Sequence, residues 1–142
     1  MRRRHKLWTF LGISRADRLR VCEAILALAL ARLIVLAVPF RLIAPWLSRT
    51  PETDACDEAL VSAVRMAVAA AARNVPWNAA CLPQAMAAKA MLTRRGCGSS
   101  FHLGAGFDGQ GQLIAHAWLV AGGTIVVGAA GIASVTPLAR FG

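Results

Sequence analysis

Residues 76–98 read PWNAACLPQAMAAKAMLTRRGCG and predict the central helix of the fold. Proline is tolerated in a helix only in the first turn, where its missing N–H has no intrahelical partner. Pro83 therefore indicates a helix that begins near residues 80–82. Gly96 suits the position just after the helix end, and the basic pair before it suits the negative end of the helix dipole. Because the segment is apolar on nearly all sides, we predict a buried helix with Cys81 at its N-terminal edge.

The chain changes to a β pattern after this helix. The segments SSFHLGAG (99–106) and LIAHAWLV (113–120) both place side chains alternately on two faces. Gly122 and Gly123 then predict a two-residue hairpin that leads into TIVV (124–127). Helices followed by an antiparallel sheet indicate the α+β class.

The first third of the chain is basic and apolar. Residues 1–49 hold ten of the sixteen Lys and Arg residues and only two acids, so most of the formal net charge of +9 lies there. The stretch 21–47, VCEAILALALARLIVLAVPFRLIAPWL, invites comparison with a membrane span, which needs about 20 apolar residues. Glu23, Arg32 and Arg41 interrupt it. We therefore predict two helices that pack on the core, on a partner or on a bilayer surface.

The segment 48–76 predicts another helix before the central one. Thr53 or Asp54 can cap its N-terminus, and the acidic residues that follow suit the positive end of the dipole. The helix should end near Arg73 and bury a stripe formed by Leu60, Val64, Ala67 and Ala71.

Length and composition indicate one domain with two parts, namely basic, apolar N-terminal helices (1–49) and a compact core (50–142). The four cysteines include no C-x-x-C pair and suggest no disulfide framework. Since no cleavable secretion signal is evident either, we expect a cytoplasmic protein, with membrane association as an alternative. The basic N-terminus lacks any nucleic-acid-binding motif, so we expect no nucleic-acid partner.

Cys81 and His116 are the residues with a recognisable chemistry. A thiol at a helix N-terminus meets the positive end of the dipole, which favours the nucleophilic thiolate, and nearby N–H groups can hold an oxyanion. His116 shares a strand face with Trp118 and is the candidate base. A cysteine that opens a buried helix, with a histidine on a later antiparallel strand, is typical of papain-like and transglutaminase-like acyl-transfer sites. The structural alternatives are a small buried hydrophobic residue and a half-buried histidine.

Other candidate sites have less support in the sequence. A zinc site would have to use Cys81, Cys97, His102 and His116. Their spacings match no common zinc pattern, so we expect no metal and no cofactor, and we expect Cys97 to be structural. Trp77 and Trp118 are candidate substrate-binding residues, although partial core burial is the commoner fate of tryptophan.

Three segments together resemble a known family. VPWNAACLPQAMAAKAMLTRRG (75–96), FHLGAG (101–106) and LIAHAWLVAGGTIVVG (113–128) are similar to the B2 leader peptidases of lasso-peptide biosynthesis, whose fold is transglutaminase-like. The resemblance covers roughly the C-terminal two thirds of the chain. It implies a cysteine peptidase that removes the leader from a ribosomally made precursor peptide, with Cys81 as the nucleophile and His116 as the general base. It also implies two protein partners: a separate leader-binding protein and an asparagine-synthetase-like cyclase that closes the macrolactam.

The third member of the family's triad has no obvious counterpart. The family carries an aspartate on the strand after the histidine, and counting back from the two-residue turn sets His116 opposite Ala129. The segment VVGAAGIASV (126–135) contains no carboxylate. Asp108, the only acid in the sheet half, is a candidate for the third member. It would lie about 25 Å from His116 if the strand ran straight, and a bend in DGQGQ (108–112) could bring it closer. The alternatives for the group that orients His116 are Asn78, a backbone carbonyl, water or an acid from the acidic start of the preceding helix.

Two other functions stay open at this point. The chain could be a non-catalytic scaffold or membrane-tethering subunit of a peptide-maturation complex. It could also be an acyltransferase that uses the same cysteine and histidine.

Overall fold

The computed structural model describes residues 12–51 and 56–142. Within these residues, four helices precede a four-stranded antiparallel sheet, which confirms the predicted α+β class. The helices are α1 (Arg15–Ala37), α2 (Phe40–Leu47), α3 (Glu58–Asn74) and α4 (Cys81–Thr93). The strands are β1 (Ser100–Phe107), β2 (Leu113–Ala121), β3 (Thr124–Val127) and β4 (Thr136–Phe141), with a 3-10 helix at Ala129–Ser134.

The apolar N-terminal segment forms two helices, as predicted. The side chain of Ser14 caps α1 by accepting a hydrogen bond from the Asp17 N–H at 3.1 Å. The helix stops before Pro39, which itself precedes the first residue of α2. One face of α1 packs against α3 and α4. None of the helices in the described part of the chain is both long and apolar enough to cross a membrane.

Helix α3 begins later than predicted. Its N-cap is Asp57, whose carboxylate accepts from the Ala59 N–H at 3.1 Å, so capping by Thr53 or Asp54 was wrong for this helix. Those two residues lie outside the described parts of the chain. The buried stripe consists of Val61, Val64, Ala67, Val68 and Ala71, while Leu60 is only half-buried.

The central helix is confirmed. Helix α4 begins at Cys81, with Pro83 in its first turn, and Gly96 follows it with a φ of 73°. Eight of its thirteen residues are buried, and one of these is Lys89. The Lys89 ammonium donates to the Ser99 carbonyl at 3.0 Å, and burial lowers the pKa of this lysine.

The sheet has the strand order β3-β2-β1-β4. Ala121 pairs with Thr124 across the predicted two-residue hairpin, where both glycines have positive φ. Strand β4 was not predicted from the sequence. It pairs antiparallel with β1, with a register shift between Leu103 and Gly104, and forms one edge of the sheet.

The two faces of the sheet have different neighbours. Phe101, Ala117 and Leu119 belong to the core that the sheet shares with α4. Alternation along a strand puts His116 and Trp118 on the opposite face, which we call the outer face. The 3-10 helix contacts β1 and β2 on this side.

Two cysteines that the sequence did not pair are joined. Cys56 and Cys97 form a disulfide with a Cα–Cα distance of 5.0 Å. The bond ties the chain just before α3 to the loop after α4. The expectation that the cysteines form no disulfide was therefore wrong, and it no longer supports a reducing compartment. The expectation that Cys97 is structural is consistent with this bond.

Candidate active site

Cys81 is a free, half-buried thiol at the first position of α4. Ala80, the N-cap, makes no side-chain capping hydrogen bond, and its carbonyl accepts the first helical bond from the Gln84 N–H at 3.3 Å. The first N–H groups of a helix have no intrahelical partner, and Pro83 has no N–H. The N–H groups of Cys81 and Leu82 are therefore the ones that can hold an oxyanion beside the thiol.

The loop before Cys81 is anchored through two carbonyls. Arg32 in α1 donates from Nη1 to the Asn78 carbonyl at 3.1 Å, and Gln84 donates from Nε2 to the Ala79 carbonyl at 2.6 Å. The sequence marked Arg32 only as a charge within an apolar stretch. The tertiary structure uses it to attach α1 to the approach to the candidate nucleophile.

His116 lies on the outer face of β2, opposite Gly104 of β1. Its Nε2 is 2.6 Å from the Gly128 carbonyl. A carbonyl can only accept, so Nε2 carries the hydrogen, and the neutral ring keeps the lone pair of Nδ1 for accepting a proton. Among the alternatives considered for orienting His116, a backbone carbonyl is the one that contacts it.

The position of Gly128 explains why Ala129 does not face His116 on a strand. Strand β3 contains one extra residue, because Leu119 pairs with Val127 while Val120 pairs with Ile125. The strand ends at Val127, and Gly128 turns the chain with a φ of 89° into the 3-10 helix. The predicted pairing of His116 with Ala129 was therefore wrong.

Asp108 stabilises the turn between β1 and β2. Its Oδ1 accepts from the N–H groups of Gln110 and Gln112, both at 2.8 Å. It lies four residues along β1 from Gly104, which is about 13 Å and closer than a straight strand would put it. No hydrogen bond or ion pair joins Asp108 to His116 in the part of the chain described.

The two tryptophans lie in different surroundings. Trp77, four residues before Cys81 in the sequence, is half-buried against the core. Trp118 is 6% exposed and stacks with two imidazoles, its ring centroid lying 5.3 Å from that of His102 and 6.2 Å from that of His116. Burial, and secondarily the charge of Arg140, lowers the pKa of His102. The aromatic stack holds His116 in place and leaves little of Trp118 open to a substrate.

The structure places Cys81 and His116 in different surroundings. Cys81 packs on the core side, where Ala117 and Leu119 of β2 also point, whereas His116 lies on the outer face beneath the 3-10 helix. No hydrogen bond connects the two side chains within the described residues. These residues also contain no cluster of three His, Cys, Asp or Glu side chains that could hold a metal ion.

A helix that starts at a free cysteine and packs on an antiparallel sheet is the architecture of the transglutaminase-like cysteine enzymes. The profile of the Transglutaminase-like superfamily matches residues 24–140, from within α1 into β4. The chain therefore belongs to the transglutaminase-like superfamily, which includes cysteine peptidases and acyltransferases and usually has cysteine-dependent activity. No curated protein and no solved structure gives a significant match.

Proposed function

We propose that this chain is a cysteine peptidase that removes the leader from a ribosomally made lasso-peptide precursor. The observation that carries the proposal is the position of Cys81. Of the two free cysteines described, Cys22 is exposed on α1, whereas Cys81 opens the central helix of a transglutaminase-like domain. A nucleophile at that position has N–H groups of the first helical turn beside it.

The reaction divides into two steps. The Cys81 thiolate attacks the scissile carbonyl, and the N–H groups of Cys81 and Leu82 stabilise the oxyanion. The C–N bond then breaks, and the departing amine takes the proton that His116 removed from the thiol. This transfer requires the two side chains to approach each other in the peptide complex, because no hydrogen bond joins them in the described structure. Water finally hydrolyses the thioester, which releases the leader and regenerates the thiol.

His116 takes the role of base in this proposal because of its tautomer and its place in the motif AHAW. The Gly128 carbonyl holds Nε2–H, so Nδ1 is the atom that exchanges the proton. A carbonyl can orient the ring, but it carries no full negative charge to stabilise the imidazolium. We therefore expect a slower enzyme than one with a carboxylate at this position.

The proposed partners come from the family resemblance. The substrate is a precursor peptide with a leader and a core, a separate leader-binding protein presents it, and an asparagine-synthetase-like cyclase closes the macrolactam afterwards. We propose these partners because the motifs around Cys81 and His116 resemble the B2 leader peptidases.

The test uses the full chain with its precursor and leader-binding protein, and mass spectrometry follows the peptide. Wild type should release the leader, Cys81→Ala should abolish release, and Cys22→Ser, the matched control at the other free cysteine, should leave it unchanged. Cleavage by Cys81→Ala at the wild-type rate would refute the peptidase assignment. A gain in peptide mass that depends on Cys81 would identify an acyltransferase instead.

A second candidate is a non-catalytic scaffold or membrane-tethering subunit of the same maturation complex. Two observations favour it: no hydrogen bond joins Cys81 to His116 in the described residues, and strand alternation puts His116 on the face opposite the buried Ala117 and Leu119. In that case neither Cys81→Ala nor His116→Ala would change leader release in the reconstituted mixture, while omission of the whole chain would.

A further inference from the structure

Helix α1 exposes an apolar stripe along its whole length. Its members are Leu19, Leu26, Leu30, Leu33 and Leu36, whose side chains are 52–71% exposed. Their spacings of seven, four, three and three residues place them on one side of the helix. The other side is the buried one that packs on α3 and α4. This helix is therefore apolar both towards the core and towards the outside.

The stripe continues onto α2 across an apolar groove. This groove is lined mostly by apolar residues of α1, α2 and α4, among them Leu26, Leu30, Leu42, Trp46 and Met91. The ion pair of Glu23 and Arg94 also lines it. The groove holds about 520 Å³. A continuous apolar surface of two helices is larger than the scattered exposed leucines normal for a soluble domain, so it marks an interaction site.

The charges around this surface are positive. Arg15 lies at the start of the stripe, and Arg41 and Arg49 lie on and just after α2, all three exposed. The two acids of α1 are already engaged, Asp17 with Arg20 and Glu23 with a pair of arginines after α4. The sequence before α1 adds four more Lys and Arg residues. The surface thus combines leucine, tryptophan and arginine, and every carboxylate in the described part of α1 and α2 is already in an ion pair.

We propose that the outward surface of α1 and α2 docks onto an anionic phospholipid bilayer, with both helices lying in the interface. Apolar side chains enter the headgroup boundary, and the arginines pair with lipid phosphates. A second copy of the chain fits poorly, because a self-complementary contact would bring arginines together. A specific protein partner fits less well, because a specific interface needs polar contacts to fix how the partner is aligned. Arg32 is the only polar residue between Ala24 and Ala37 that could make one.

The test is co-flotation of the full chain with phosphatidylcholine vesicles that contain or lack phosphatidylglycerol. Wild type should bind the anionic vesicles, with an affinity that falls as salt is added, and should bind the neutral ones weakly. Leu30→Gln/Leu33→Gln should weaken binding by about tenfold or more. Met66→Gln/Leu138→Gln, the control at two apolar positions elsewhere that are at least as exposed (69% and 70%), should bind like wild type.

A second variant tests the charge separately from the apolar contact. Arg41→Gln/Arg49→Gln should lose about fivefold in affinity per arginine on anionic vesicles and change little on neutral ones. Failure of wild type to bind anionic vesicles would overturn the proposal. So would a wild-type dimer in light scattering that Leu30→Gln/Leu33→Gln dissociates, because the surface would then be an interface between copies. Neither result depends on whether Cys81 is a nucleophile.

Discussion

Gly131, in the 3-10 helix, lies directly against the ring of His116. A Cβ added there would be 2.6 Å from Cε1 and Nε2 and 2.7 Å from Nδ1 of the imidazole. Carbon atoms need at least 3.4 Å for ordinary contact, so a methyl group would occupy the space of the ring. The ring cannot retreat easily, because the Gly128 carbonyl holds it on one side and Trp118 stacks on it on another. We expect Gly131→Ala to lower the free energy of unfolding by about 1–3 kcal/mol.

A double-mutant cycle isolates the contact. Urea unfolding would be measured for wild type, Gly131→Ala, His116→Ala and the double variant. Since His116→Ala removes the ring, the methyl group at Gly131 then fits, and the two changes should couple by about 1–2 kcal/mol. Gly109→Ala is the matched control, because an added Cβ there meets nothing within 4 Å, and it should change stability by less than about 0.5 kcal/mol.

The cycle has a clear contrary result. If Gly131→Ala costs as much stability in the His116→Ala background as in wild type, the ring does not lie against Gly131, and the outer-face position of His116 is wrong. In that case His116 could instead face Cys81.

Three further predictions concern an ion pair, a buried lysine and the disulfide. Glu23 accepts from Arg95 at 2.6 Å with both side chains mostly buried (19% and 28% exposed), so Glu23→Gln should cost about 1–2 kcal/mol in urea unfolding. The hydrogen bond from Arg95 lowers the pKa of Glu23 below 4.5. The stability difference between wild type and Glu23→Gln should therefore be complete above pH 4.5 and should disappear as the pH falls through the lowered pKa. A difference that stays constant down to pH 2, about the acid limit of such titrations, would contradict this prediction. Burial lowers the pKa of Lys89 below 10.5, so the free energy of unfolding of wild type should rise as the pH increases from the lowered pKa to 10.5. If a Lys89→Met variant shows the same rise, the titration of Lys89 is not its cause. Reduction of the disulfide between Cys56 and Cys97, 41 residues apart, should cost about 4 kcal/mol by loop-closure entropy, and identical unfolding curves with and without dithiothreitol would show that the bond is absent.

The sequence could predict features whose causes lie within a few residues. Pro83 limits where α4 can begin, because its ring removes an N–H that only the first turn can spare. Gly122 and Gly123 predict the hairpin, because both adopt the positive φ that a tight two-residue turn requires. Cys81 was thereby placed at the start of the central helix before any tertiary contact was known.

The approach to Cys81 and the surroundings of His116 depend on residues far apart in the chain. Nothing local links Arg32 to the Asn78 carbonyl, 46 residues away, or predicts that the Gly128 carbonyl reaches His116. The second contact depends on the register of β3 against β2, which one extra residue in β3 shifts and which a count along the sequence cannot detect.

The sequence by itself therefore determined the α+β order, the start of α4 and the hairpin, since proline, glycine and side-chain alternation act on the backbone where they stand. Tertiary structure decided the pairing of Cys56 with Cys97, the face on which His116 lies and its carbonyl partner. All three features depend on strand register and on how the helices pack over the sheet. Both result from many small contacts between segments that are distant in sequence.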